Sequence, residues 1–194
     1  MRISCVLAAR ELNPDHVDLV VFPEGVCMDE INGVHSTHPD AVVAGAVVEN
    51  GYSRGVLQHR GLNQIDYRKV ESDGRTKGTA NIHQNPVYEL GDVCIGVIIC
   101  MDVNHMEFFH SVIWKIQSSQ AMLKILCVPA DMGAEWFEGN SLAFPQNFKG
   151  IHVIVCNNNS RNHQGHRRKS FITDTHGLKI VVQNEIEPIH AVLY

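Results

Sequence analysis

Three residues, Glu24, Lys69 and Cys100, each stand where an apolar, strand-like run of the sequence ends. A thiol becomes a strong nucleophile when a base takes its proton, and a nearby ammonium group favours the thiolate. An acid at the carboxyl end of a buried strand lies at the rim where open sheets place their ligands. Brought together at one rim, these side chains predict a cysteine nucleophile with a carboxylate base and a lysine that stabilises charge.

Each of the three residues alone also fits an ordinary structural role. A cysteine at the end of a buried strand is more often a small packing residue than a nucleophile. Strand-end glutamates and lysines are usually solvated. Only the conjunction of Glu24, Lys69 and Cys100 favours catalysis.

The segment after Cys100, from Met101 to His105, changes from a strand pattern toward a helix pattern. At such a corner a thiol can face a pocket, and the backbone N–H groups that follow can point at a developing oxyanion. The helix is indicated by apolar residues spaced on one face, namely Phe109, Val112, Ile113 and Ile116.

Several short runs rich in Val and Ile predict strands that are covered on both faces. They are Leu19-Val20-Val21-Phe22, Ala41-Val42-Val43-Ala44, Ile95-Gly96-Val97-Ile98-Ile99, Ile125-Leu126-Cys127-Val128 and Val153-Ile154-Val155-Cys156. Gly91-Asp92 and His176-Gly177 predict two hairpin turns, so the sheets are expected to be mixed. A less regular helix is predicted from Gly139 to Lys149.

The composition predicts one ordinary globular domain covering residues 1–194. The chain has 194 residues, 44% of them hydrophobic, which is enough for one sizeable core. A net charge of -5 disfavours nucleic acid as a partner. We expect no signal peptide and no membrane-spanning segment. Cysteines within apolar runs are typical of a reducing, cytoplasmic protein.

Twelve histidines raise the question of a metal site. No His-Glu-x-x-His motif or paired Cys-x-x-Cys spacing occurs in the sequence. Scattered histidines are more often surface or capping residues, so we expect no metal.

Three segments resemble, in order, the motif blocks of the nitrilase superfamily: Phe22-Pro23-Glu24, Tyr67-Arg68-Lys69 and Gly96-Val97-Ile98-Ile99-Cys100-Met101-Asp102. Later segments are similar to the strands and turn that follow in that family: Val128-Pro129-Ala130, Val153-Ile154-Val155-Cys156-Asn157 and Ile172-Thr173-Asp174-Thr175-His176-Gly177. Any one block has a high false-positive rate, but the ordered set spans most of the chain.

The resemblance implies an α/β fold with mixed sheets, a four-layer αββα sandwich that is somewhat truncated here. It implies Glu24 as general base, Cys100 as nucleophile and Lys69 as stabiliser of the tetrahedral intermediate, with the backbone N–H of Met101 as second oxyanion donor. The implied substrate is a small amide, carbamoyl compound or nitrile. We expect no cofactor. The resemblance also implies a homodimer or a larger homo-oligomer.

Many members of that family also use a second glutamate between the lysine and the cysteine. Here only Glu71 and Glu89 are available, and the sequence favours neither. Asp131, Met132 and Trp136 follow the strand after the nucleophile helix and are predicted to contact substrate. Trp136 and its neighbour Phe137 fit equally well as core or interface residues.

Two other functions fit the same sequence. One is a binding or regulatory protein that keeps the hydrolase fold without turnover, which the unassigned second glutamate and the short chain favour. The other is an acyltransferase in which an amine, instead of water, resolves the same acyl-enzyme.

Overall fold

The computed structural model describes residues 1–5, 17–72, 76–79, 81–131, 148–157, 170–176, 179–182 and 189–193. Within these ranges the chain forms two six-stranded sheets. The strands are β1 (Arg2–Cys5), β2 (Leu19–Glu24), β3 (Val42–Glu49), β4 (Tyr52–His59), β5 (Leu62–Arg68), β6 (Val87–Leu90), β7 (Val93–Val97), β8 (Leu123–Ala130), β9 (His152–Asn157), β10 (Phe171–Thr173), β11 (Lys179–Val182) and β12 (Ile189–Val192).

The first sheet has the order β12-β1-β2-β3-β4-β5, and the second has the order β11-β10-β9-β8-β7-β6. In the first sheet β2 runs parallel to β1 and β3, whereas β4 is antiparallel to both β3 and β5. In the second sheet β7, β8 and β9 are parallel, and hairpins add β6 and β11 at the edges. The prediction of mixed sheets is confirmed.

The sheets pack face to face, with β2 against β8 and β9. Helix α1 (Met28–Thr37) covers the outer face of the first sheet, where Ile31 and Val34 join a cluster with Phe22 and Val43. Helix α2 (Met106–Ser118) covers the outer face of the second, where Ile116 lies against Gly96. The layers are therefore helix, sheet, sheet and helix, as the αββα prediction requires.

The apolar face predicted after Cys100 is the buried face of α2. Both predicted hairpins are present, as β6–β7 and β10–β11. Strand β4 and helix α1 were not predicted. The helix predicted from Gly139 to Lys149 lies largely outside the described residues. No described helix is long and apolar enough to cross a bilayer.

Candidate active site

Glu24 lies at the end of β2, and an irregularity in that strand sets its direction. Val21 pairs with Ala44 and Glu24 pairs with Ala46, so three steps along β2 match two along β3. The extra residue falls at the segment containing Pro23, which has no N–H to give to a ladder. Glu24 consequently shares the inner, sheet-facing side with Ala44 and Ala46, and it is 5% exposed.

Lys69 directly follows β5 and is completely buried. Its Nζ donates to Oε1 of Glu24 at 2.8 Å. Its backbone is fixed on both sides, because its N–H donates to the Ser53 carbonyl at 2.9 Å and its carbonyl accepts from Thr79 N–H at 3.1 Å. Two charges removed from water stabilise a fold only when they are close and every remaining lone pair is hydrogen-bonded; this pair is close, but Oε2 of Glu24 has no donor among the described residues.

The two strands between Glu24 and Lys69 carry small residues at the positions that their side chains and the Tyr67 ring lie over. Ala46 on β3 and Gly55 on β4 occupy the row that joins Glu24 to Tyr67 on β5. Three strand spacings of about 4.8 Å separate the ends of that row by about 14 Å. A Cβ at Gly55 would lie 2.2 Å from Cε1 of Tyr67, so only glycine leaves room for the ring.

Cys100 opens a 3₁₀ turn, Cys100–Asn104, that links β7 to α2. Its φ is 39°, in the left-handed region that non-glycine residues rarely adopt. Such backbone costs about 1–3 kcal/mol and is concentrated at functional sites. The N–H of Asp102 donates to the Ile99 carbonyl at 2.8 Å and closes the turn. The predicted strand-to-helix corner is therefore present, with Cys100 at its first residue.

Tyr67 connects the lysine-bearing strand to the cysteine-bearing turn. Its hydroxyl accepts a short hydrogen bond from the N–H of Ile99, the residue before Cys100. The ring is fully buried and packs against Phe108 of α2 at 5.6 Å between centroids. The buried Tyr67 side chain thus links the strand that precedes Lys69 to the backbone just before Cys100.

Asp102 makes a second connection between the same two segments. Its Oδ1 accepts from the N–H of Val70 at 2.9 Å and from the N–H of Glu71 at 2.7 Å. These are the two residues after Lys69, and Asp102 is the second residue after Cys100. The structure therefore brings Glu24 and Lys69 into contact, and it ties the flanks of Lys69 to the flanks of Cys100.

The electrostatics of this cluster are those of charges held away from water. Burial raises the pKa of Asp102 from 3.8 to about 7, against the opposing effects of the two backbone N–H groups and of Lys69. Burial also raises the pKa of Tyr67 well above its ordinary value, and the charge of Asp102 adds to this. Glu24, Lys69, Tyr67 and Asp102 therefore form one electrostatic unit.

The cysteines differ in access. Cys94, Cys100, Cys127 and Cys156 are buried, as the apolar runs predicted, whereas Cys27 is exposed. None of these five forms a disulfide. Burial raises the pKa of Cys94. Cys27 is thus a competing thiol in any labelling experiment.

The remaining predicted site residues fall in several places. Met101 is the second residue of the 3₁₀ turn and is partly buried. Asp131 directly follows β8 and is also partly buried. Met132 and Trp136 lie outside the described residues.

The two candidates for the second glutamate lie on different segments of the chain. Glu71 lies two residues after Lys69 and is bonded to Asp102 through its N–H. Glu89 is exposed on β6 and pairs with Cys94, six residues before Cys100. Of the two, only Glu71 belongs to the segment that carries Lys69.

Tyr67 and Asp102 were present in the motif blocks, but the sequence assigned them no role. The signal for Tyr67 was its position two residues before Lys69, on the same face of a strand. The signal for Asp102 was an acid within an apolar stretch, two residues after the thiol. Its backbone partners are more than thirty positions away, and only the fold brings them together.

An open cavity of about 330 Å³ lies elsewhere on the molecule. It is lined by Glu49, Asn50, Tyr52, Arg54 and Arg68. Arg54 and Arg68 alternate with inward-facing residues of β4 and β5, so the cavity is on the outer face of the first sheet. It is separate from the cluster around Lys69.

No protein-family model matches the sequence, and no curated protein matches it. Solved structures do match, over almost the whole chain. Nit3 of Saccharomyces cerevisiae, a member of branch 10 of the nitrilase superfamily, is 15% identical, with a TM-score of 0.72 over 98% of this chain and 89% of Nit3. XC1258 of Xanthomonas campestris, a CN-hydrolase superfamily protein with an arsenic adduct in its active site, is 14% identical, with a TM-score of 0.76 over 98% and 89%.

A third match is an amidase of Nesterenkonia sp. AN1, in a variant with acrylamide added at the active-site cysteine. It is 16% identical, with a TM-score of 0.67 over 98% of this chain and 91% of the amidase. The resemblance predicted from the motif blocks is thus confirmed for the architecture, and the chain has the fold of the nitrilase superfamily.

Proposed function

We propose that this chain is a cysteine-dependent hydrolase of non-peptide carbon–nitrogen bonds, acting on a small amide, a carbamoyl compound or a nitrile. The observation that most supports this is the buried 2.8 Å pair between Lys69 Nζ and Glu24 Oε1, tied to the turn that Cys100 opens. The fold shared with amidases, one of which carries an adduct at its cysteine, supports the same chemistry.

Glu24 is the general base of the proposed reaction. Its Oε1 is engaged by Lys69, whereas its Oε2 is buried and accepts no hydrogen bond from the described residues. A buried carboxylate oxygen without a donor is costly, and a proton from a thiol relieves that cost. Oε2 is therefore the atom that takes the proton of Cys100.

The thiolate sulfur then bonds to the carbonyl carbon of an amide, and the carbonyl electron pair moves to oxygen. The Lys69 ammonium and the backbone N–H of Met101 stabilise this oxyanion. The carbon–nitrogen bond breaks as Glu24 returns the proton to nitrogen, which leaves ammonia or an amine and a thioester on Cys100. Water deprotonated by Glu24 hydrolyses the thioester, releases the carboxylic acid and restores the thiol.

The substrate contacts proposed from the sequence are Asp131, Met132 and Trp136. Asp131 directly follows β8, whose last residue pairs with Asn157 at the end of β9. This is the edge of the sheet at which the parallel strands have their carboxyl ends, and Cys100 lies three residues beyond the end of β7 at the same edge. Such edges commonly carry ligands.

The test is intact-mass spectrometry after incubation with small amides and nitriles, acrylamide included. The chain is used as the C27S variant, which removes the exposed one of the five cysteines whose burial is described, beside a C27S/C100A control. We expect one adduct in C27S, mapped by peptide analysis to Cys100, and none in C27S/C100A. An adduct that persists in the control, or no adduct with any compound of the panel, would overturn the proposal.

The products separate hydrolysis from acyl transfer. With a compound that forms the adduct, a hydrolase releases the carboxylic acid at a rate that an added amine changes little. Turnover only in the presence of an amine, with the N-acylated amine as the product in place of the carboxylic acid, would instead identify the acyltransferase. Absence of both adduct and product identifies the binding or regulatory protein.

We further propose that residues 1–194 form one catalytic domain that needs no cofactor or metal and acts in the cytoplasm as a homodimer or larger homo-oligomer. Helix α2 exposes Trp114 and Met106, which are 67% and 55% accessible and suit a subunit contact. Sedimentation equilibrium of the wild-type chain and of W114E tests the assembly. A wild-type chain that is monomeric at micromolar concentration would contradict it.

A further inference from the structure

Asp102 is a fully buried acid that the proposed mechanism does not use. Its Oδ1 accepts from the N–H groups of Val70 and Glu71, and its carboxyl group also interacts with the buried Tyr67 hydroxyl. An asparagine would accept the same two hydrogen bonds without the cost of burying an ionisable group. The fold therefore places a carboxyl group at a position where packing alone needs only a neutral acceptor.

Asp102 connects the turn that carries Cys100 to the segment that follows Lys69. Asp102 lies in the 3₁₀ turn that begins at Cys100, and Cys100 itself has a φ of 39°. Its two donors follow Lys69, whose own N–H and carbonyl are bonded to Ser53 and Thr79. Every peptide group from Lys69 N–H to Glu71 N–H is thus hydrogen-bonded. Among the described residues, Asp102 is the one that joins the segment after Lys69 to the turn that carries Cys100.

We propose that Asp102 is a positioning residue of the same reaction, whose Oδ1 holds the backbone after Lys69 in register with the Cys100 turn so that the ammonium and the sulfur address one substrate carbon. This inference rests on the proposed function. It assigns to Asp102 no contact with substrate and no proton transfer to it.

The position of the acceptor is the property that matters for the clamp. Catalytic groups displaced by about 1 Å can lose about 100-fold in rate, because the reacting atoms no longer align. D102N keeps the acceptor in place and removes the charge. D102E keeps the charge and moves the acceptor outward by one methylene group.

The charge of Asp102 has a separate, smaller consequence. Its carboxyl group interacts electrostatically with Lys69, Glu24 and Tyr67. Two other titratable residues are near it in the chain or through a hydrogen bond: Cys100, two positions before it, and Glu71, whose N–H donates to it. Its pKa of about 7 means that its charge changes within the working range of a neutral enzyme. Activity of the wild type is therefore expected to vary with pH near 7 in a way that D102N removes.

The experiment measures kcat and KM for the compound that forms the Cys100 adduct, with the rate of Cys100 alkylation as a readout that needs no turnover. All variants carry C27S. The matched control is D66N, since Asp66 lies on β5 but faces outward and pairs with Arg54 at 3.0 Å. Folding of each variant is checked by thermal unfolding.

We expect D66N to match the parent, D102N to stay within about tenfold of its kcat, and D102E to lose about 100-fold in kcat with little change in KM. D102N should also lose the dependence on pH near 7. A D102E enzyme with parental kcat, or a D102N enzyme as impaired as D102E, would overturn the clamp. If the parent itself labels Cys100 no faster than Cys94, the proposed function fails instead, which is a distinguishable result.

Discussion

Lys69 Nζ lies 2.8 Å from Glu24 Oε1, although the two residues are 45 positions apart and two strands of the sheet separate them. Neither side chain is more than 5% exposed. Removing one partner of a buried pair leaves an uncompensated charge, which costs about 3–5 kcal/mol. Removing both leaves neutral groups of similar size.

This relationship predicts a strongly non-additive double-mutant cycle. E24Q and K69M should each lower the free energy of unfolding by about 3–5 kcal/mol. The loss in E24Q/K69M should be smaller than the sum of the two single losses. Urea unfolding of the four proteins measures the coupling. Additive losses would show that the two charges do not depend on each other.

A second prediction concerns the glycine beneath Tyr67. G55A places a Cβ where the ring now lies, 2.2 Å from Cε1, so the ring and its bond to Ile99 must shift. We expect a loss of about 1–3 kcal/mol of stability, together with slower alkylation of Cys100. Thermal unfolding and labelling check both effects.

The matched control for G55A is S53A on the same strand. Ser53 is fully buried two residues away, and its hydroxyl has no hydrogen-bond partner within the described part of the chain. Its removal should change stability little. A G55A protein as stable and as reactive as S53A would show that Tyr67 does not position the cysteine turn.

The strands that carry the site were predictable because buried parallel strands are continuous apolar runs. Glu24, Lys69 and Cys100 stand out in the sequence since polar or reactive groups interrupt those runs. Strand β4 escaped prediction because Arg54 and Gln58 stand within it and Gly55 weakens its strand propensity. Helix α1 escaped because only Ile31 and Val34 of its ten residues are buried, so its apolar stripe is narrow.

The role of Asp102 was not predictable from the sequence for a different reason. Its partners are backbone N–H groups, which carry no sequence signature, and they belong to the two residues after Lys69, just beyond β5 of the other sheet. The bulge that turns Glu24 inward is similarly a property of pairing with β3. Such features depend on register, which the sequence of one strand does not specify.

A third prediction concerns pH and stability. An acid whose pKa is higher in the folded state binds more protons there, so the free energy of unfolding falls as pH rises from 3.8 toward 7. For one proton the slope is at most about 1.4 kcal/mol per pH unit. D102N should lack this contribution and gain stability relative to the wild type as pH increases.

Urea unfolding of the wild type and D102N at a series of pH values between 4 and 8 measures the difference. The two proteins differ only at residue 102, so the difference between their curves reports the contribution of Asp102. Parallel curves for the two proteins would mean that Asp102 ionises in the folded state as it does in water.

The most direct test of the central claim, that Glu24 and Lys69 activate Cys100, is the alkylation rate of each cysteine in the folded C27S protein. Iodoacetamide labelling followed by peptide mapping should show Cys100 reacting at least about tenfold faster than Cys94, Cys127 and Cys156, and E24Q should remove that advantage. Equal, slow labelling of all four buried cysteines, or a Cys100 rate that E24Q leaves unchanged, would contradict the account.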